Sequence, residues 1–166
     1  MDDIEKWLAN NEQLFKDDDL FVRGFAYFVK GWGDYTGCRF NDGTSLSQDY
    51  ASSYKYLFYA VKYLYPLYTK NKLNDIGYII LGKSLEGIAL CLQAGYGCEE
   101  NYNAAFNCAK KSYEIYNSEA SALLMGNFYF YGHGVEKDPQ QAYNWWKKEA
   151  ARGSKVCKQA IREHFE

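Results

Sequence analysis

The chain has 166 residues, a net charge of −2, 17 tyrosines, four tryptophans and only two prolines, and its isoelectric point lies near 5.8. That length suits one domain with a sizeable core, and the mild acidity excludes a binder that neutralises many nucleic-acid phosphates. No apolar run approaches the ~20 residues of a membrane span, and no Pro-, Gly- or Ser-rich linker divides the chain.

Apolar periodicity predicts a leading helix over 4–15, pairs over 19–30 and 48–65, 75–93 and 102–116, and 119–131 and 139–152, then a closing helix over 155–165. The amino terminus, Met1-Asp2-Asp3-Ile4-Glu5-Lys6-Trp7, is acidic where a secretory signal is basic and then apolar, so the expected location is cytoplasmic. Asp17-Asp18-Asp19 suits a helix N-terminus, where carboxylates cap free amides; a calcium loop needs a glycine and a closing glutamate that are missing here. Gly31-Trp32-Gly33 reads as a turn, followed by an insertion over 34–47 before Gln48-Asp49 opens the next helix. That helix holds eight aromatic residues over 50–68. At ~100° per residue, Tyr50, Tyr54, Leu57, Phe58, Val61, Leu64, Tyr65 and Tyr68 share one broad face, the expected core stripe. Tyr56, Tyr59 and Tyr63 fall on a flank, with a narrow polar strip at Lys55 and Lys62. The three flanking tyrosines are either covered by neighbouring helices or form a partner-binding surface, since Tyr combines large area with a polar handle. Pro66 should end or kink the helix near Tyr65.

The segment 120–153 reads as a complete helix-turn-helix unit. Gly126, Ala142, Ala150 and Ala151 are short enough for close helix approach, while Tyr129 and Trp146 fill the remaining volume. Gly132 and Gly134 suit a turn that needs positive φ, Asp138-Pro139 supplies an N-cap and the proline favoured at the first helical position, and Gly153 ends the second helix. At an offset of 37 residues, Gly95-Tyr96-Gly97-Cys98 matches Gly132-His133-Gly134-Val135, Ala105 matches Ala142 and Phe106 matches Tyr143. The copy then decays, because Ala150-Ala151 and Gly153 correspond to Tyr113-Glu114 and Tyr116. A more distant copy opens with Arg23-Gly24.

This pattern resembles the SEL-like repeat, a relative of the tetratricopeptide repeat. The resemblance implies an all-α, right-handed superhelical array (an α-solenoid) of about three antiparallel helix pairs between terminal capping helices. The implied division is a cap helix over 1–16, a divergent repeat with an insertion over 19–66, a degenerate repeat over 75–117, a well-formed repeat over 118–153 and a cap over 154–166. One helical hairpin cannot bury its apolar face, so neighbours are required.

No catalytic, cofactor-binding or metal-ligating set emerges. Only two histidines occur: His133, between the turn glycines, and His164, near the end. Both read as solvated. There is no His-Glu-x-x-His, no phosphate-cradling glycine loop and no Gly-x-Ser-x-Gly, and Glu99-Glu100 reads as loop charge. Five cysteines, Cys38, Cys91, Cys98, Cys108 and Cys157, are an odd number at uneven spacing, which predicts free thiols; pairing of Cys91 with Cys108 across the middle hairpin is the alternative.

The resemblance implies a noncatalytic protein-binding module acting as adaptor or single-partner inhibitor. Size and charge suit a bacterial immunity protein that neutralises a cognate basic toxin or effector. Tyr56, Tyr59 and Tyr63 are the candidate partner-binding residues on a monomer or weak homodimer, with neither nucleic acid nor membrane as partner. The alternatives are a hydrolase, proposed for cysteine-rich relatives, and a self-associating structural subunit.

Overall fold

The structure, a computed structural model, describes residues 18–37 and 48–165. The expected helix over 4–15, most of the expected insertion, and Cys38 lie outside the described residues. Within them are seven α-helices and no strand: α1 (Leu20–Thr36), α2 (Tyr50–Thr69), α3 (Asp75–Ala94), α4 (Tyr102–Ile115), α5 (Glu119–Tyr131), α6 (Pro139–Ala151) and α7 (Lys155–Phe165). They form an α-solenoid of three helical hairpins, α1/α2, α3/α4 and α5/α6, with α7 packed against the last.

Side-chain oxygens begin all seven helices, with Ser154 Oγ accepting from the Cys157 N–H at the start of α7. Asp19, Asp49, Asn74, Asn101, Ser118 and Asp138 each accept from a backbone N–H in the first turn of α1 to α6, satisfying donors that have no partner within the helix. Left-handed glycines close three helices, Gly37 after α1, Gly95 after α3 and Gly132 after α5. Gly95 and Gly132 therefore stand where the 37-residue offset placed them.

The second glycine of each turn serves a different purpose. A Cβ on Gly97 would stand 2.4 Å from the Tyr50 carbonyl oxygen, and one on Gly134 would stand 2.2 Å from that of Tyr102. Each turn thus presses its bare backbone onto the start of the preceding hairpin's second helix. This contact recurs from hairpin to hairpin and sets how they stack.

Within the hairpins, small residues bring helix axes together. Gly24 meets Leu64 and Gly31 meets Leu57 across α1/α2, while Gly126 meets the Trp146 indole across α5/α6. In the middle hairpin, Ala89 and Ala109 take the places of Gly126 and Trp146, and both are fully buried. One core cluster runs through all three hairpins, from Leu57 through Ile88, Ala105 and Ala109 to Leu124, Met125 and Phe128. At ~25 cal/mol per Å2 of apolar surface, each large member contributes roughly 1.5–3 kcal/mol on burial. Cys157 and Ala160 of α7 cover Ala142 and Trp146, so α7 closes the stack.

Several expectations need correction. Gly31 and Gly33 lie inside α1, which continues to Thr36; the small size of Gly31 serves approach to Leu57 of α2, and Gly37 is the glycine that ends the helix. Pro66 stops nothing, because α2 runs through it to Thr69. It sits on an exposed side within one turn of the end, where one lost backbone bond matters least. Phe58 and Tyr65 are 53% and 37% exposed rather than core. The buried line of α2 is Ser53, Leu57, Ala60 and Leu64, which admits α1 because two of its four members are small. Ala151 is exposed and Ala150 half-buried, so Ala151 answers no close-packing demand.

Candidate protein-interaction groove

The first helix of each hairpin and α7 together border a groove. A hollow of about 400 Å3 is lined by Tyr35 of α1, Glu86, Leu90 and Gln93 of α3, Tyr96 of the turn, and Leu123, Leu124 and Asn127 of α5. A second, of about 300 Å3, takes in Tyr131 of α5 and Val156, Gln159, Glu163 and His164 of α7. Leu123 and Asn127 border both, so the two hollows adjoin along α5.

Its chemistry is neutral to acidic. One carboxamide comes from each of α3, α5 and α7 (Gln93, Asn127 and Gln159), two carboxylates come from Glu86 and Glu163, and no Lys or Arg among the described residues lines either hollow. A carboxamide both donates and accepts, which is also what a peptide group does. Gln93 Oε1 is buried and has no hydrogen-bond partner, an arrangement that costs roughly 1–3 kcal/mol until a donor arrives.

Buried polar bonds fix the floor. The Glu86 carboxylate accepts from Ser118 Oγ at 2.9 Å and Ser121 Oγ at 3.2 Å, tying α3 to the start of α5. Ser112 Oγ donates to the Gly82 carbonyl at 2.7 Å and stands 2.7 Å from Ser121 Oγ. One wall is aromatic: Trp32 stacks on Tyr35 at 5.7 Å, Tyr35 meets Tyr50 edge-on at 5.6 Å, and Tyr50 stacks on Tyr96 at 4.0 Å. Burial pushes the Tyr35 phenol above its ordinary pKa, with Cys91, Tyr50, Tyr96 and Glu86 adding to the effect.

The flanking tyrosines of α2 lie elsewhere, against α1. Tyr56, Tyr59 and Tyr63 are half-buried and surround Tyr27, with ring centroids 6.0, 5.1 and 5.5 Å from it. Cations cover their faces: Lys62 stands 5.8 Å from the Tyr59 centroid and Lys55 5.7 Å from that of Tyr56, while Arg23 is 5.1 Å from that of Tyr63. Beneath them lies the ion pair of Lys30 and Asp34, 1% and 0% exposed, with Lys30 Nζ also 4.9 Å from the Tyr56 centroid. Burial holds the Asp34 carboxyl above the usual carboxylate range, against the pull of Lys30. Asp49 is lowered instead by its bonds from Ser52.

Both histidines depart from the solvated reading. His133 stacks on Tyr102 at 4.2 Å, and His164 lies against Phe130 at 4.3 Å and Trp146 at 5.4 Å. A flat, weakly polar imidazole packs well on aromatic faces. Cys91, Cys98, Cys108 and Cys157 are free thiols, so Cys91 and Cys108 are not paired. Among the described residues no group of His, Cys, Asp and Glu could hold a metal ion, and no helix is long and apolar enough to cross a membrane.

Sequence reasoning missed Glu86, Gln93 and the Lys30–Asp34 pair. Glu86 did leave a signal, as the lone charge in the apolar run 84–92 of α3. Lys30 and Asp34 left a weaker one, opposite charges four apart in an aromatic helix.

The Sel1 repeat family profile matches residues 82–115 and 120–154, the α3/α4 and α5/α6 hairpins. The solved Sel1 repeat protein of Oxalobacter formigenes is similar with a TM-score of 0.59 at 18% identity, over 94% of this chain and 97% of that one. A protective antigen of uropathogenic Escherichia coli, c5321, displays an SLR fold and matches with a TM-score of 0.45 at 17% identity, over 88% of this chain and 34% of its own. No curated protein matches the chain in sequence. Residues 82–154 therefore carry two tandem Sel1 repeats, and the stack of helical hairpins around them has the fold of a solved SEL-like repeat protein.

Proposed function

We propose that the protein is a noncatalytic adaptor or single-partner inhibitor that holds a segment of another protein in the groove bordered by α1, α3, α5 and α7. The observation that carries this reading is the groove's polar lining: carboxamides from α3, α5 and α7, one with a buried acceptor lacking a donor. An extended peptide supplies donors and acceptors along such a lining. The carboxylates of Glu86 and Glu163, with no cation lining the groove among the described residues, favour a neutral to basic partner segment, in keeping with a basic toxin or effector. The Tyr56, Tyr59 and Tyr63 face is a second, lateral contact, favoured by its half-exposed rings beside Lys55 and Lys62.

Affinity capture from lysate of the source cells tests both surfaces. Wild type is compared with Asn127→Ala/Leu123→Ser and with Tyr56→Ser/Tyr59→Ser/Tyr63→Ser, each checked for folding by circular dichroism. One stoichiometric protein lost with the first variant supports the groove, and loss with the second assigns the lateral face. Retention by both variants, or a concentration-dependent mass with no partner, counts against the reading.

A further inference from the structure

We propose that the hollow around Glu86 and Gln93 is a receptor for an arginine side chain of the partner. This deepens the binding reading above and rests on it. Glu86 is 4% exposed, yet its bonds come from two serine hydroxyls, and no Lys or Arg among the described residues stands within ion-pair distance. Lys83, one turn away on the same helix, reaches instead over the Trp32 ring at 5.6 Å. A buried carboxylate held only by neutral donors retains much of its desolvation cost, and a cation is what offsets it.

The carboxylate is not a demand of the repeat. At the 37-residue offset Leu123 occupies the same place in the next hairpin and lines the same hollow. Gln93 lies seven residues beyond Glu86, two turns along one face of α3, and adds its buried, unpartnered Oε1. The hollow therefore holds a carboxylate without a countercharge and, beside it, an amide oxygen without a donor. Tyr35 and Tyr96 add aromatic rings to its lining. A guanidinium answers all of these at once, with five N–H donors in a plane that also stacks on aromatic faces. An ammonium offers fewer donors and no flat face. About 400 Å3 also leaves room for the arginine methylenes and adjoining backbone.

The test uses the isotope-labelled whole chain titrated by NMR with N-acetylarginine methylamide, N-acetylcitrulline methylamide and N-acetyllysine methylamide. Citrulline keeps the shape of arginine and lacks its charge. The arginine probe should shift resonances of residues 86–96 and the Gln93 side-chain amide with a millimolar Kd. Citrulline should bind at least tenfold more weakly, and lysine severalfold more weakly. Glu86→Gln keeps an acceptor for Ser118 and Ser121, and should weaken arginine binding at least tenfold with little change in Tm; Tyr96→Leu should weaken it severalfold. Equal binding of arginine and citrulline by wild type overturns the proposal, as does undiminished binding by Glu86→Gln. If Glu86→Gln fails to fold, the citrulline comparison in wild type and the Gln93→Leu variant decide in its place. A captured protein that binds Glu86→Gln as tightly as wild type refutes the receptor and leaves the binding reading standing. Arginine binding without any captured protein does the reverse.

Discussion

An alanine Cβ at position 126 would stand 1.9 Å from Trp146 Nε1, 2.4 Å from Cδ1 and 2.5 Å from Cε2. Ordinary contact needs ~3.4 Å, so Gly126→Ala demands that the indole move by about 1.5 Å. The indole has little freedom. It is fully buried, packs against Phe130 at 5.8 Å and His164 at 5.4 Å, and donates through Nε1 to the Leu123 carbonyl at 3.2 Å. Overpacking of this kind costs about 1–3 kcal/mol, and loss of the indole hydrogen bond adds about 0.5–1.5 kcal/mol. Alanine's helix preference over glycine returns about 1 kcal/mol. The net expectation is a destabilisation of roughly 2 kcal/mol, which at this chain length lowers Tm by about 4–8 °C. Urea unfolding followed by far-UV circular dichroism and tryptophan fluorescence measures it. Repeating Gly126→Ala in a Trp146→Leu background isolates the contact, where the cost should fall by at least about 1 kcal/mol. Gly126→Ala that stabilises the protein, or costs the same in both backgrounds, would refute the reasoning.

Lys30→Met strands the Asp34 carboxylate in the core and should cost about 3–5 kcal/mol, whereas Lys30→Met/Asp34→Leu should recover most of that loss in the same urea titration. Gly134→Ala combines a φ of 69° with a clash on the Tyr102 backbone; hydrogen exchange should show protection lost first in α5 to α7, with α1 and α2 least changed. Burial pushes the Cys91 thiol up to about 11. The folded chain keeps this proton while an unfolded one releases it near pH 9. The resulting stability is therefore full below pH 9 and lost as pH rises toward 11, a decline that Cys91→Ala should flatten. At pH 8 a thiol reagent should modify native Cys91 far more slowly than the urea-unfolded chain; equal rates would contradict the burial.

The third hairpin was readable almost to the residue because each of its signals is local. Ser118, Gly132, Asp138 and Pro139 punctuate 119–131 and 139–151 within a few positions of the bonds they make. The first hairpin misled because glycine has two uses. In Gly31-Trp32-Gly33 it looked like turn chemistry and is contact chemistry, a distinction visible only once Leu57 is known to lie opposite. On α2 the phase arithmetic followed hydrophobicity, but the buried line contains Ser53 and Ala60, chosen for size. The groove was illegible for another reason. Tyr35, Glu86, Asn127 and Gln159 come from four helices spread over more than 120 residues, and nothing in any one segment announces the others. The flanking tyrosines share a neighbour, Tyr27, that belongs to a different helix and that no reading of α2 alone could supply.

Tyr96 sits between the two glycines of the turn that rests on the Tyr50 backbone, and it also lines the groove. The contact on which one hairpin leans against the next therefore also carries an aromatic ring into the groove. Any flexing of the array about that contact moves the ring, and any cargo gripped by it resists the flexing. Occupancy of the groove should thus be felt as a change in the mechanical compliance of the whole stack, stiff when loaded and supple when empty.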